Sequence, residues 1–261
     1  MMFSLAKERM ESSKLWRIVR RMPKGALLHC HLEAMVDMGW LIEEAIGMDD
    51  MCVKTTEPLT DDVRDKGAFK FQTSKSPVRG GPSMWTSAYQ ADTLVPLVEF
   101  ADTFPDGGRA AFISWFRSRT TITHEESLKH HKGINEVWRK FTSIFAVIGS
   151  LIFHESLFRK FIRRIFRELR EDGVQYVEFR HGFVAPYSRD DAELPDEDFV
   201  HFLTAFREEL DAFKATEEGA DFWGARFIWS AIRRFDNKAI ADCSYILFLP
   251  FLSPHSHSVQ P

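Results

Sequence analysis

Two histidines separated by one residue are the side chains of this sequence best suited to chemistry. His29 and His31 flank Cys30 after the apolar residues 25–28, which together predict a buried strand. In a strand, residues i and i+2 point to the same side, so these two imidazoles can share one metal ion. Neutral imidazole suits Zn²⁺, which keeps one coordination position for water in catalytic sites. The structural alternative is a pair of hydrogen-bonded histidines at a sheet edge, with Cys30 as a core thiol pointing the other way.

A second H-x-H pair, His255 and His257, lies in a tail of unusual composition. Residues 243–261 contain no Asp, Glu, Lys or Arg, and no strand is predicted before the pair. We therefore interpret this second spacing as chance. The tail is either a poorly ordered terminus or the product of a mis-spliced or shifted reading frame after Asp242, and the abrupt loss of charge favours the second explanation.

Alternating strands and helices are predicted around the first histidine pair. The strand at 24–31 precedes a helix at 33–46, and the strongest pattern in the chain is a helix at 155–172. That helix has apolar residues at helical spacing and basic residues on its other face, and Gly173 is well placed to end it. The remaining predicted elements are helices at 6–21, 134–150 and 196–215 and strands at 174–180 and 222–230. This order is typical of a parallel α/β sheet, either open or closed into a (β/α)8 barrel.

Composition argues against several classes of function. The 261 residues carry a formal net charge of -4, which gives no general attraction to nucleic acid. The three cysteines form neither a disulfide framework nor a metal-binding pair. No apolar signal segment opens the chain, and no apolar stretch is long enough for a transmembrane helix. We therefore expect a cytoplasmic protein with no nucleic-acid or membrane partner.

The segment 22–33 carries the most specific motif. Its sequence, MPKGALLHCHLE, resembles the opening strand of the adenosine and AMP deaminase superfamily, in which M-P-K precedes L-H-x-H and an acidic residue follows. The residues GALL and the later string MVDMGWL are most similar to the adenosine deaminase-related growth factors. Softer blocks follow in family order at 137–141, 153–180 and 222–234. The resemblance thus covers residues from about 10 to 242, in family order.

This resemblance implies an α/β fold, the (β/α)8 TIM barrel of metal-dependent hydrolases, with one Zn²⁺ at the C-terminal ends of the strands. The family activity is hydrolysis of adenosine to inosine and ammonia. His29 and His31 would be two zinc ligands. Glu33 stands where the family has an acidic residue, usually Asp, near the ribose hydroxyls; the alternative is an exposed carboxylate at a helix start. Trp138 matches a tryptophan that lines the nucleoside pocket; the alternative is a core aromatic on a helix.

One pair of charges near the predicted sheet has a structural explanation of its own. Glu178 and Arg180 lie at the end of a predicted strand, where barrel enzymes carry functional residues. We favour an ion pair that supports the barrel. His181 follows directly, and we do not expect it to be a metal ligand.

Later parts of the family active site have no counterpart in the sequence. A third zinc-binding histidine, the H-x-G-E segment whose glutamate moves the proton, and a late aspartate pair are not found; His124-Glu125 and His154-Glu155 lack that spacing and fall in predicted helices. We identify no catalytic acid or base, and loss of the amine needs one. The expected organisation is a helical segment at 1–21, an incomplete barrel at 22–242 with an irregular insertion at about 50–133, and a disordered tail at 243–261. We expect this truncated chain to be inactive.

Other functions remain open at the sequence level. The fold could serve a non-catalytic nucleoside-binding or interaction protein, which the missing acid and base favour. Another H-x-H metal hydrolase on a barrel, such as a phosphoesterase, would need further His and Asp ligands that are equally absent. A full-length form could pair into a homodimer through the N-terminal helix, and secretion of related proteins leaves localisation open.

Overall fold

A three-stranded parallel sheet is the central feature of the region that carries the first H-x-H pair. The computed structural model describes residues 3–122, 126, 133–232 and 235–242. They belong to two compact units. Unit 1 comprises Met1–Met35 and Phe158–Pro261, and unit 2 comprises Val36–Leu157. Unit 2 is therefore inserted, in sequence, into the chain that forms unit 1.

The described helices and strands alternate along much of the chain. In chain order, the helices are α1 (Phe3–Glu11), α2 (Lys14–Arg21), α3 (Met38–Ile46), α4 (Leu97–Asp102), α5 (Gly108–Thr120), α6 (Gly133–Ile152), α7 (Glu155–Glu171) and α8 (Val200–Lys214). The strands are β1 (Gly25–His31), β2 (Met51–Thr55), β3 (Phe69–Thr73), β4 (Val95–Pro96), β5 (Val174–His181) and β6 (Gly224–Trp229). A short 3-10 turn, Leu32–Ala34, follows β1 directly. Within the described residues, every helix is too short or too polar to cross a bilayer.

In unit 1, β1, β5 and β6 form a parallel sheet in that order. Helices α7 and α8 supply the connections between successive strands, which confirms the predicted parallel α/β arrangement. Phe179 of β5 and Phe227 of β6 pack against Phe206 of α8, with ring centroids 6.0 and 4.5 Å apart. One face of the sheet therefore packs on helix α8 through aromatic side chains.

Helix α7 confirms the strongest prediction made from the sequence. Its predicted apolar face is buried throughout: Leu157, Phe158, Phe161, Ile162, Ile165, Phe166 and Leu169. Gly173 ends the segment with φ of +78°, a left-handed conformation that glycine adopts without strain. A Cβ at this position would lie 3.1 Å from the carbonyl oxygen of Met22.

The M-P-K motif performs a structural task beside that glycine. The backbone N–H of Lys24 donates to the carbonyl of Gly173 at 2.9 Å. Its ammonium group donates to the carbonyl of Asp172 and, at 3.3 Å, to that of Arg20. Carbonyls at the ends of α7 and α2 have no partner inside their helices, so one lysine satisfies both ends and fixes the start of β1 beside the start of β5.

Unit 2 has its own sheet and its own core. Strands β3, β2 and β4 pair antiparallel in that order. Trp85 stacks on Phe100 of α4 with ring centroids 4.3 Å apart and meets Trp115 of α5 edge-on at 5.4 Å. The sequence predicted an irregular insertion at about 50–133. The strands were not predicted, because they are short and take their order from pairing with distant partners.

Two predicted helices begin or divide differently from expectation. The helix predicted at 6–21 is divided at Ser12 and Ser13, because Ser13 caps α2 by accepting from the N–H of Trp16 at 3.0 Å. The helix predicted at 33–46 starts only at Met38, after Asp37 has capped it by accepting from Trp40 at 3.0 Å. Short polar side chains that bond nearby backbone N–H groups favour such helix starts over helix interiors.

Candidate metal centre and its surroundings

His29 and His31 lie together at the C-terminal end of β1. Their ring centroids are 5.8 Å apart and the ring planes are inclined by 67°. Both residues are exposed, whereas Cys30 between them is half-buried and its thiol donates to the carbonyl of Glu178 at 3.5 Å. Burial raises the pKa of the Cys30 thiol to about 11, although the charge of Arg180 opposes the shift. Cys30 is thus a protonated thiol turned toward β5, whereas the imidazoles of His29 and His31 are exposed.

A bulge in β1 places His29. Leu27 pairs with Val177 and Cys30 pairs with Phe179, so the two residues 28 and 29 stand opposite the single residue Glu178. A bulge bends its strand locally and re-aims a side chain. Here it includes His29 itself, and regular pairing resumes at Cys30, so that His31 lies in register opposite Arg180.

The pair fits half of a tetrahedral zinc site. Two imidazoles bound to one Zn²⁺ at about 2.1 Å have ring centres roughly 5 to 6 Å apart, close to the arrangement of His29 and His31. Within residues 3–122, 126, 133–232 and 235–242, no group of three or more His, Cys, Asp or Glu side chains could hold a metal ion. The described residues therefore supply two candidate ligands and no third.

Glu33 lies just beyond the histidines, in the 3-10 turn, and contacts His181. Its Oε1 lies 3.3 Å from Nδ1 of His181, and the two side chains are 14% and 2% exposed. Burial would raise the pKa of Glu33, but the hydrogen bond and charge of His181, with a smaller effect of His31, outweigh it and lower that pKa. Glu33 is therefore a largely buried, ionised carboxylate, and the expected alternative of an exposed helix-start residue is wrong.

His181 is the part of this arrangement that the sequence did not predict. It ends β5 and packs among Phe183, Phe202 and Phe227, with ring centroids 4.6, 5.6 and 5.9 Å away. Its distance from Glu33 depends on the pairing of β1 with β5. The only sequence signal was a histidine directly after a predicted strand, which does not identify a partner.

The predicted ion pair between Glu178 and Arg180 is present. Nη2 of Arg180 lies 3.6 Å from Oε2 of Glu178, and both side chains are about three-quarters buried, with 24% and 23% exposed. The same Nη2 also donates to the carbonyl of Leu28 at 2.9 Å, across to β1. The hydroxyl of Tyr176 donates to the other carboxylate oxygen of Glu178 at 3.3 Å. The side chains of Tyr176, Glu178 and Arg180 thus contact one another along β5, and the last of them reaches the backbone carbonyl of Leu28 in the bulge.

Trp138 lies on α6, in unit 2, and is 61% exposed. Its ring stacks on that of Phe141, one turn further on, with centroids 5.4 Å apart. The alternative of a core aromatic is therefore wrong, because most of the ring is accessible.

Several other predicted features can be placed or set aside. His154 stands between α6 and α7 rather than inside a helix, with Nε2 3.2 Å from the carbonyl of Ser150. His124-Glu125 and the tail at 243–261, with its second H-x-H pair, lie outside the described residues.

Comparison with known proteins extends the resemblance seen in the motif. A scan against models of protein families gives no match. Among curated proteins, the chain is 27% identical over 227 residues to an adenosine deaminase of Phlebotomus duboscqi, a match over 87% of the chain. It is 27% identical over 238 residues to adenosine deaminase 2-A of Danio rerio and 29% identical over 244 residues to adenosine deaminase 2 of Homo sapiens, covering 90% and 93% of the chain.

The chain is thus similar to adenosine deaminases over about nine tenths of its length. Relatives called adenosine deaminase 2 are among these matches, which agrees with the growth-factor resemblance of the residues GALL and MVDMGWL. The chain spans 39% of the length of the sandfly relative, 42% of the fish relative and 43% of the human one. The similarity thus covers nearly the whole chain, but only about two fifths of each relative.

Proposed function

We propose that this polypeptide forms the N-terminal part of a zinc-dependent adenosine deaminase-like aminohydrolase. The observation that carries the proposal is the pairing of His29 and His31, with ring centroids 5.8 Å apart, at the C-terminal end of a parallel strand. Functional residues of β/α barrels lie at that end of the strands. The similarity to adenosine deaminases supports a catalytic role for this position.

Strands β1, β5 and β6 would be the first three of an eight-stranded barrel. They are parallel, consecutive in the sheet and joined by helices, as such a barrel requires. Further strands supplied by the remainder of a longer protein would pair with the open edges and cover the face that carries the histidines. Among the residues that the structure describes, those edges are unpaired, which favours association or instability.

Each candidate residue has a proposed role. His29 and His31 would hold the Zn²⁺ through neutral imidazole nitrogens, and the chemistry such an ion supplies is activation of water near neutral pH. Glu33, kept ionised by His181, would accept a hydrogen bond from a ribose hydroxyl of adenosine. Trp138 would offer its exposed ring to the nucleoside by stacking.

The number of candidate zinc ligands limits what the 261-residue chain could do by itself. Two histidines make a weak zinc site, and no candidate acid or base was identified to protonate the leaving ammonia. We therefore propose that residues 1–261 alone do not turn over adenosine.

Zinc content and ammonia release, measured on the same purified chain, test this proposal. We expect weak Zn²⁺ binding that His29→Ala abolishes, and no ammonia from adenosine. The double change His255→Ala and His257→Ala removes the other H-x-H pair and is the matched control, which should leave zinc binding unchanged. Ammonia release abolished by His29→Ala would show that a proton donor exists in the chain and would sink the inactivity proposal; zinc binding unaffected by His29→Ala would sink the metal site.

A second candidate function is nucleoside binding without catalysis. The exposed, stacked ring of Trp138 and the lack of a third metal ligand in the described residues favour it. Titration calorimetry with adenosine and inosine distinguishes the two. The binding function would be supported over the enzyme by two results together. Adenosine should bind, and Trp138→Ala should weaken that binding. No ammonia should form from adenosine, even with excess zinc and with the C-terminal part of a longer protein added.

We also propose that the N-terminal helices pair two copies of a longer protein. Helix α2 buries none of its residues, and Leu15 and Ile18 on it are 68% and 63% exposed. Neighbouring apolar side chains left in water often mark a protein interface.

A further inference from the structure

His181 is a polar ring among aromatic side chains, in a space that a phenyl ring would also fill. Its side chain is 2% exposed, and it packs against Phe183, Phe202 and Phe227 with ring centroids 4.6, 5.6 and 5.9 Å away. A buried polar group costs free energy unless it is hydrogen-bonded. Packing alone therefore does not account for a histidine at this position, whereas its contact with the carboxylate of Glu33 does.

Phe183 packs on the imidazole from a strained backbone conformation. Its φ is +50°, a left-handed value that is an outlier for a bulky side chain. Such strain persists only where the surrounding structure over-determines the conformation, and it is frequent at ligand sites. Phe183 is 3% exposed, and its ring is the nearest of the three to His181. The imidazole is thus held firmly, and its Nδ1 has a fixed position.

The carboxylate of Glu33, by contrast, ends a long and flexible side chain. The strand period that places His29 and His31 does not place this group, because Glu33 lies beyond β1, in the turn Leu32–Ala34. Its side-chain torsions must be fixed by contacts. Oε1 lies 3.3 Å from Nδ1 of His181, and in the described part of the chain the other hydrogen bond to the carboxylate comes from the backbone N–H of Glu33 itself. A rigid ring nitrogen beside one oxygen therefore sets the direction of the carboxylate.

We propose that His181 is a positioning residue: it holds Oε1 of Glu33, so that the carboxylate accepts a hydrogen bond from a single sugar hydroxyl of the ligand. A carboxylate that binds two neighbouring hydroxyls uses both oxygens, whereas only 14% of the Glu33 side chain is exposed and one oxygen faces His181. The ligands selected in this way are nucleosides that carry that one hydroxyl, whatever the state of the others. The inference rests on the proposed function for the identity of the ligand. His181 itself is enclosed by the aromatic rings and acts through Glu33.

The first test measures the conformation of the Glu33 side chain in the 261-residue chain without any ligand. Three-bond NMR couplings along the side chain distinguish one staggered rotamer from an average of several. His181→Phe keeps an aromatic ring and removes the donor, whereas His181→Asn removes the ring and keeps an N–H donor near the position of Nδ1. His201→Phe is the matched control, because His201 lies on α8 and pairs with Asp196. Far-ultraviolet circular dichroism measures folding.

We expect one rotamer of Glu33 in the unaltered chain, in His181→Asn and in the control, and an average of several in His181→Phe. An averaged Glu33 in the unaltered chain, or a single rotamer in a folded His181→Phe variant, would overturn the proposal. If His181→Phe does not fold, His181→Asn decides: a folded asparagine variant with a single Glu33 rotamer supports the donor role, and one with an averaged Glu33 overturns it.

Ligand binding separates this inference from the proposed function. Calorimetric titration compares adenosine with its 2′-, 3′- and 5′-deoxy forms, in the unaltered chain and in Glu33→Ala. We expect one deoxy form to bind the unaltered chain about 10- to 100-fold more weakly than adenosine, the effect of losing a hydrogen bond to a charged group, and to bind Glu33→Ala as adenosine does. Coupling of Glu33 to two hydroxyls, or to none, would overturn the single-hydroxyl role. Absence of adenosine binding would count against the proposed function, while the rotamers of Glu33 would still decide the role of His181.

Discussion

The side chains at the end of β1 differ sharply in their access to water. His29 and His31 are exposed, Glu33 is largely buried and His181 is almost completely enclosed by aromatic rings. An ionised carboxylate is costly to bury unless it is paired and hydrogen-bonded. His181 provides that pairing, so the carboxylate can stay charged behind the two open imidazoles.

Replacing His181 with phenylalanine isolates this effect. The new ring suits the aromatic surroundings of Phe183, Phe202 and Phe227, but it removes the hydrogen bond and the charge that lower the pKa of Glu33. We expect the pKa of Glu33 in His181→Phe to rise, because burial is then opposed only by the smaller effects of a backbone hydrogen bond and of His31. Carbon-13 NMR titration of the side-chain carboxyl measures it.

His201→Phe serves as the control for that titration. His201 lies on α8, and its Nδ1 is 3.1 Å from a carboxylate oxygen of Asp196 rather than near Glu33. An unchanged Glu33 titration in His181→Phe would show that the pairing with His181 does not hold the carboxylate in its ionised form.

For the candidate site, the sequence predicted which side chains could act there better than it predicted which groups they contact. The H-x-H spacing and the ion pair of Glu178 with Arg180 follow from the two-residue period of a strand, which is local information. The contacts of Glu33 with His181 and of Arg180 with the Leu28 carbonyl depend on the register of two strands far apart in the chain. A one-residue difference in that register would change both contacts, and no local pattern fixes it.

At the level of elements, helices α7 and α8 pack through apolar side chains and through one buried carboxylate. Glu209 of α8 is 5% exposed and accepts from two arginines of α7. Nη2 of Arg163 donates to it at 2.8 Å, and Arg159 lies 3.3 Å away. A buried carboxylate held by two guanidinium groups fixes the helices in one relative position, because a shift of either helix would leave its charge unpaired.

Glu209→Gln should destabilise the protein by about 1–3 kcal/mol, since it leaves arginine N–H groups without a charged acceptor. Urea unfolding followed by circular dichroism measures the loss. Glu208→Gln is the matched control: Glu208 lies next in sequence, pairs with Arg159 at 2.9 Å and is 56% exposed, so we expect a change of no more than about 0.5 kcal/mol. Equal losses in the two variants would contradict a special role for the buried carboxylate.

The interaction of Glu209 with Arg163 and Arg159 also predicts that the free energy of unfolding depends on pH. Burial would raise the pKa of Glu209, but hydrogen bonds and charge from Arg163 and Arg159 outweigh it and lower that pKa. The contribution to stability is therefore fully present above the unfolded pKa of about 4.3 and is lost as pH falls through the lower folded value. The difference in unfolding free energy between the unaltered chain and Glu209→Gln should be constant near neutral pH and shrink in acid. A difference that grows in acid would contradict the direction of the shift.

Helices were predicted more completely than strands because their signal is local. The apolar spacing of α7 and the glycine after it are visible within about twenty residues. The strands of unit 2 are short and gain their stability from cross-strand neighbours. The divisions at Ser13 and Asp37 were missed for a different reason, since a capping side chain outweighs a continuous apolar pattern.

For the molecule as a whole, the exposed face of α2 gives the next prediction. If two copies pair through it, the double change Leu15→Lys and Ile18→Lys should weaken self-association measured by sedimentation equilibrium, because charged side chains resist burial. Leu194→Lys is the matched control, since Leu194 is 78% exposed and lies far along the chain in the loop before α8. A chain that is monomeric at all concentrations, or weakened equally by both changes, would exclude pairing through α2.

The insertion of unit 2 between β1 and β5 also bears on the order in which the chain can fold. Strands β1 and β5 are neighbours in the sheet, yet the whole of unit 2 separates them in sequence. Closing a long disordered loop costs entropy before any contact rewards it, and pairing between distant segments is slow for that reason. If unit 2 folds first, with its own core, the loop that remains to be closed is far shorter. Substitutions that delay the folding of unit 2 should then delay the meeting of β1 and β5, and with it the assembly of the histidine pair that none of them touches.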